Sequence, residues 1–266
     1  MPFSKAAPGV LSMGKETFKV DQNQLFGANR QKLIEGLKAG NHYGVVFLKG
    51  GNNPERFDSD HEPIFRQESY FWYLTGVKEP DCAVALDVAT GHTTLFIPQL
   101  PAEYATIMGR IQTPEEWKNH YMVDDVKFLQ DTEKTLEELI VKGPPTNGHG
   151  NGHSNGIGSK LFLMHGRNSD SGNMYRTPTV SSKALQEKID TDILFPILAE
   201  CRVIKTEAEL AILQHVTEVT SFAHAYVMRN IQPNMMEYQG ESLFRHYCYY
   251  NYGTLGSCAF LFDFSF

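Results

Sequence analysis

The chain has 266 residues, 41% of them apolar, with 31 acidic against 24 basic residues and a formal charge of −7. This composition belongs to a globular protein with a sizeable core and excludes a wholly disordered or collagen-like chain. Without a run of five bases the chain does not offer the clustered Lys and Arg that neutralise phosphates, so no nucleic-acid partner is expected.

No segment approaches the roughly 20 apolar residues of a membrane span. The N-terminal residues lack the apolar stretch of a secretory signal, so a cytoplasmic, reducing location is expected. Cys82, Cys201, Cys248 and Cys258 are accordingly read as free thiols, since none forms a C-x-x-C pair.

A first helix is predicted over residues 22–38, opened by a capping box of Asp21 and Gln24 and closed at Gly40. Leu25, Phe26, Leu33, Ile34 and Leu37 share its apolar face. Residues 45–48 form a short buried strand, 52–62 a polar loop and 65–77 an aromatic-rich stretch. Strands over 82–88 and 93–97 flank the turn signal Asp87 to His92 and so make a hairpin. Helices follow at 115–120 and 132–141, then a strand at 161–165, a helix at 183–189 and a connection at 192–199. Strands interleaved with helices imply an α/β domain built on a mixed sheet.

Residues 147–159 are rich in Gly, Asn and Ser. They are read as a flexible loop, because little apolar surface offsets the entropy of ordering glycine. His149 and His153 lie four apart there, a spacing that serves a metal only on a helix.

The pattern changes near 201–206. Thr206 and Glu209 form a capping box for a long helix reaching about Arg229, with Leu210, Leu213, Val216, Val219, Ala223 and Val227 as its buried stripe. A second box over 234–237 opens a helix to about Asn251, with Met236, Leu243, Phe244, Tyr247 and Tyr250 on the inner side. Two such helices need further structure to cover them, so the second domain reads as unfinished.

No complete active site emerges from residue chemistry alone. Ser257 lacks the G-x-S-x-G elbow because Ala259 stands at the final glycine position, and no Walker loop, G-x-G-x-x-G or H-E-x-x-H is present. His215 and His224 lie nine residues apart on one helix and do not converge; His246 reads as a hydrogen-bonded structural histidine. Asp124 and Asp125 are adjacent and point to opposite sides of a strand, whereas Glu115, Glu116, Glu137 and Glu138 read as surface charge. Arg66 and Glu68 are read as a structural ion pair.

Residues 65–76, 94–98 with Leu100 and Pro101, 104–109, 121–126, 200–207, 209–210 and 241–248 together resemble the prolidase (Xaa-Pro dipeptidase) branch of the pita-bread metallopeptidases. The resemblance covers roughly residues 10–253. It implies an N-terminal creatinase/prolidase-like α/β domain with a mixed sheet over 1–199, followed over 200–266 by the first helices of an incomplete α+β pita-bread catalytic domain. It further implies hydrolysis of dipeptides with a C-terminal proline, two Mn2+ and a homodimer.

The family's metal ligands (two Asp, one His, two Glu) lie downstream of the helix ending near Asn251 and have no matching position here. Asp263 stands in the wrong context. No catalytic or metal-ligating residue is therefore assigned, and a chain truncated before those ligands is expected to be inactive alone. One substrate contact is implied in trans. The segment 103–110 matches a region that approaches the partner's active site in such dimers, and Ile107 stands where relatives tend to carry an aromatic residue; a packed loop residue is the alternative. A non-catalytic dimerisation or protein-binding module is the alternative function, since uncovered apolar helix faces seek partners.

Overall fold

The computed structural model describes residues 9–11, 18–53, 55–142 and 159–253. They fall into two units. The first is Gln22–Ile204, and the second comprises the described residues of Ser4–Asp21 and Lys205–Phe266. The flexible-loop reading with His149 and His153, and the tail with Ser257, Cys258 and Asp263, lie outside the described residues.

Near the N-terminus β1 (Val10–Leu11) pairs antiparallel with β2 (Val20–Asp21). The first unit then opens with a π-helical turn, Asn23–Gly27, that runs into α1 (Ala28–Ala39). Leu25, Phe26, Leu33, Ile34 and Leu37 are buried, which is the apolar face legible in the sequence.

The strands are β3 (Gly44–Lys49), β4 (Ala83–Asp87), β5 (Thr93–Ile97), β6 (Asp125–Phe128), β7 (Lys160–Leu163) and β8 (Ile189–Asp190). They form one sheet in the order β6-β5-β4-β3-β7-β8. β3–β4 and β4–β5 are antiparallel, while β5–β6, β3–β7 and β7–β8 are parallel, so the sheet is mixed.

The predicted hairpin is present. Asp87 orders its turn by accepting from the Ala89 amide and the Thr90 hydroxyl. At Gly44 the sheet requires glycine, because a Cβ there would lie 2.1 Å from the Lys160 carbonyl oxygen.

β3 is buried on both faces, which explains why residues 45–48 read as a continuous apolar run rather than an alternating one. Val46 and Leu48 face a layer made by α1, α2 (Ser69–Thr75), α4 (Pro114–Tyr121) and α7 (Leu194–Val203). Val45 and Phe47 face α5 (Thr132–Lys142) and α6 (Lys183–Gln186). Residues 104–108 form a further short helix, α3 (Tyr104–Met108).

Three sequence expectations change in this unit. The connection over 192–199 is helix α7 instead. Pro196 sits in its first turn, where no amide donor is needed, and Leu194, Leu198 and Cys201 pack on the sheet layer. The helix over 183–189 is a single turn, α6, because Ile189 pairs with Leu161 as part of β8. Arg66 and Glu68 form no ion pair among the described residues. The Glu68 carboxylate instead caps α2 by accepting from the Tyr70 and Phe71 amides at 3.1 and 2.8 Å.

In the second unit α8 (Glu207–Asn230) packs against α9 (Glu237–Tyr252). The Thr206–Glu209 capping box forms as expected, at 2.8 and 3.3 Å. The box predicted over 234–237 is displaced: the Gln239 side chain accepts from the Met236 amide at 2.8 Å.

The buried stripe of α8 is shorter than its sequence pattern. Val219 and Ala223 are buried against Phe244 and Cys248, whereas Leu210 and Leu213 remain 46% and 49% exposed. Met236, the residue before α9, and Tyr250 on it are likewise exposed rather than inward. For α8 the reason is length. At about 1.5 Å per residue, the 16 residues of α9 cannot cover the 24 of α8.

Candidate functional site

The one position assigned a site role, Ile107, lies on α3. The preceding turn, closed by the Tyr104 amide on the Pro101 carbonyl at 3.0 Å, starts this helix, and Gly109 at φ 87° stops it. None of its residues is buried. Tyr104, Ile107 and Met108 present apolar surface, with Ile107 86% exposed. This corrects the alternative reading of Ile107 as a packed loop residue: within this chain its side chain has almost no cover.

The segment after α3 is fixed by charge. Arg110 pairs with Glu116 at 2.8 Å, and its guanidinium, helped by the Thr113 amide, holds the Glu116 carboxyl down to about 2. Thr113 and Glu116 complete a capping box that starts α4 with Pro114 in the first turn.

At the far end of α4 the Tyr121 hydroxyl donates to the Glu79 carboxylate at 2.5 Å, and burial pushes that phenol well above its usual range. Its neighbour His120 is pushed down to about 4, first by burial and then by the Lys78 charge. The His120 carbonyl accepts from the fully buried Gln22 side chain. Arg30, buried in α1, donates to the carbonyls of Leu74 and Met122, both at 2.9 Å. Burial lowers it to about 10 against the opposing pull of Asp124.

These perturbed groups serve structure. Arg30 spends its donors on loop carbonyls, Tyr121 on the Glu79 carboxylate and Arg110 on Glu116 at the start of α4. Asp124 accepts from the Thr93 amide at 2.8 Å, and Asp125 starts β6 beside it. In the second unit His215 stacks on Phe18, His224 meets Phe244 and His246 stacks on Tyr250. Among the described residues no group of three or more His, Cys, Asp or Glu is placed to hold a metal ion. The residues described therefore do not fit the dinuclear centre that the resemblance implies.

Sequence reasoning missed a polar network at the end of α7. Lys32 donates to the Cys201 carbonyl at 2.7 Å and also to that of Ile204. The Tyr73 hydroxyl donates to the same Cys201 oxygen at 3.0 Å. Arg202 lies over the Tyr70 ring, 4.4 Å from its centroid, and reaches the Ser69 hydroxyl at 3.4 Å. These partners are more than 120 residues apart in the chain, so no local pattern announces them.

Residues 26–146 match the family described as aminopeptidase P, N-terminal domain. The matched residues lie within the first unit and its mixed sheet. The chain is 39% identical over 240 residues to the Xaa-Pro dipeptidase of Pongo abelii and 38% identical over 240 residues to that of Homo sapiens, each covering 89% of this chain and 45% of the relative. By that similarity the chain resembles the Xaa-Pro dipeptidases over most of its length. It spans about half the length of the curated relatives it matches.

Among solved structures, aminopeptidase P from Escherichia coli aligns with a TM-score of 0.60 at 21% identity, covering 85% of this chain and 49% of that one. Proline aminopeptidase P II from Yersinia pestis aligns with a TM-score of 0.60 at 20% identity, covering 86% and 50%. At such identity these likenesses establish a shared fold. No helix among the described residues is long and apolar enough to cross a membrane.

Proposed function

We propose that this chain supplies the non-catalytic N-terminal domain, residues 1–199, and the opening helices of the catalytic pita-bread domain, residues 200–266, of an Xaa-Pro dipeptidase. The observation that carries the reading is the 39% identity across 89% of the chain to a protein of that name. The complete enzyme would be a cytoplasmic, homodimeric peptidase that cleaves dipeptides ending in proline with two Mn2+. A zinc-substituted Escherichia coli aminopeptidase P in complex with product, among the structural relatives, supports a divalent metal of some kind.

In this reading the metal pair takes its ligands from residues that have no counterpart among these 266, as the resemblance implies, and the chain alone is inactive. No catalytic step is assigned to them. Ile107, exposed on α3, is the residue proposed to reach substrate in a partner subunit. The test is Gly-Pro hydrolysis by the purified chain with added Mn2+, together with calorimetric titration of the metal. The expected result is no turnover and no tight equivalent. Robust turnover abolished by a chelator would overturn the proposal of inactivity.

A second reading, a non-catalytic dimerisation or protein-binding module, is favoured by the apolar residues left exposed on the helical unit. Leu210, Leu213, Phe222, Met228 and Tyr250 all remain open to solvent. Light scattering separates it: a monodisperse monomer over a wide concentration range would count against association.

A further inference from the structure

The N-terminal segment is separated in sequence from α8 and α9 by the whole of the first unit, yet it is part of their unit. Its last four residues include Phe18, whose ring stacks on the His215 imidazole with centroids 4.7 Å apart and planes 22° from parallel. His215 also meets Tyr252 edge-on at 6.1 Å. Tyr252 in turn lies 6.1 Å from Tyr247, whose ring is 5.0 Å from Tyr226 of α8. One chain of aromatic contacts therefore links the N-terminal segment, the first half of α8 and the last turn of α9. It reaches the part of α8 where Leu210 and Leu213 are left uncovered by α9.

We propose that residues 18–21 are a strap that completes the helical unit, clasped by Phe18, His215 and Tyr252. Among the described residues the chain consequently passes between the two units at Asp21–Gln22 and at Ile204–Lys205. Both passages are pinned on the side of the first unit by one continuous helix. Gln22, fully buried, fixes the first through the His120 carbonyl. Lys32 fixes the second through the Cys201 and Ile204 carbonyls.

The test is amide hydrogen exchange on the full chain and on Phe18→Ala, Phe18→Leu and Phe18→Tyr. Loss of the ring stack is expected to speed exchange about fivefold in the first half of α8 and the last turn of α9. Exchange in β3, β4 and β7 should stay unchanged, and Phe18→Tyr should keep the wild-type pattern. Phe18→Leu, which retains apolar bulk without the ring, reads the same peptides if the alanine variant fails to fold. Unchanged exchange in α8 for the alanine or leucine variant, or an equal rise in β3 and β7, would overturn the proposal.

Discussion

Lys32 of α1 donates to the carbonyl oxygen of Cys201, 2.7 Å away in the last turn of α7, a contact made across 169 residues of sequence. A helix C-terminus carries unsatisfied carbonyls and partial negative charge, so an ammonium there both satisfies an acceptor and opposes the dipole. Replacing Lys32 by Met should cost about 1–2 kcal/mol of stability. Urea denaturation followed by far-UV circular dichroism measures it, and a shift within error of zero would remove Lys32 from the account.

The Tyr73 hydroxyl shares the same acceptor. Tyr73→Phe should lower stability by about 1 kcal/mol, and its effect should be non-additive with Lys32→Met because both donors serve one oxygen. A double-mutant cycle reads the coupling directly. Strict additivity would mean that the two contacts are independent.

Gly76 closes α2 at φ 68°, and a Cβ there would lie 2.2 Å from the Phe26 ring. Gly76→Ala meets both a left-handed backbone and a filled space, so a loss of about 3 kcal/mol is expected. A thermal melt tests this; a variant as stable as the parent would show that the Phe26 ring can yield.

His120 sets an acid limit. Its folded value of about 4 lies below the ordinary 6.5, so the unfolded chain takes up the proton first as pH falls. Unfolding then gains protons between those two values, and stability falls as pH drops from 6.5 towards 4. His120→Gln, which keeps the backbone carbonyl used by Gln22, should flatten the stability–pH curve in that window. An unchanged slope in denaturant melts at stepped pH would assign the acid sensitivity elsewhere.

Ile107 offers a clean separation of fold from association. Because it is 86% exposed, Ile107→Asp should leave monomer stability within about 0.5 kcal/mol. If α3 meets a second subunit, sedimentation should show weaker self-association in the same variant. A large stability loss would place Ile107 in the core after all.

Much of the fold can be read residue by residue. The apolar run at 45–48, the Asp87 turn and the Thr206–Glu209 box are local signals, and each forms where it is written. α7 and β8 were not legible. Pro196 reads as a break unless one knows that it falls in a first turn, and Ile189 becomes a strand only because Leu161 lies beside it. The candidate site divides the same way. Residue types and stretches pointed to the prolidase branch, but the exposure of Ile107 followed only from how little packs around α3.

The sequence alone determined the start of α8, the hairpin turn and the strands of the sheet centre, because capping, turn chemistry and continuous burial act over a few residues. Tertiary structure decided which apolar stripes are covered and which carbonyls of α7 are held. Those depend on contacts between Lys32, Tyr73 and Cys201, and between Phe18 and His215, and such long-range pairings leave no periodic trace in the chain.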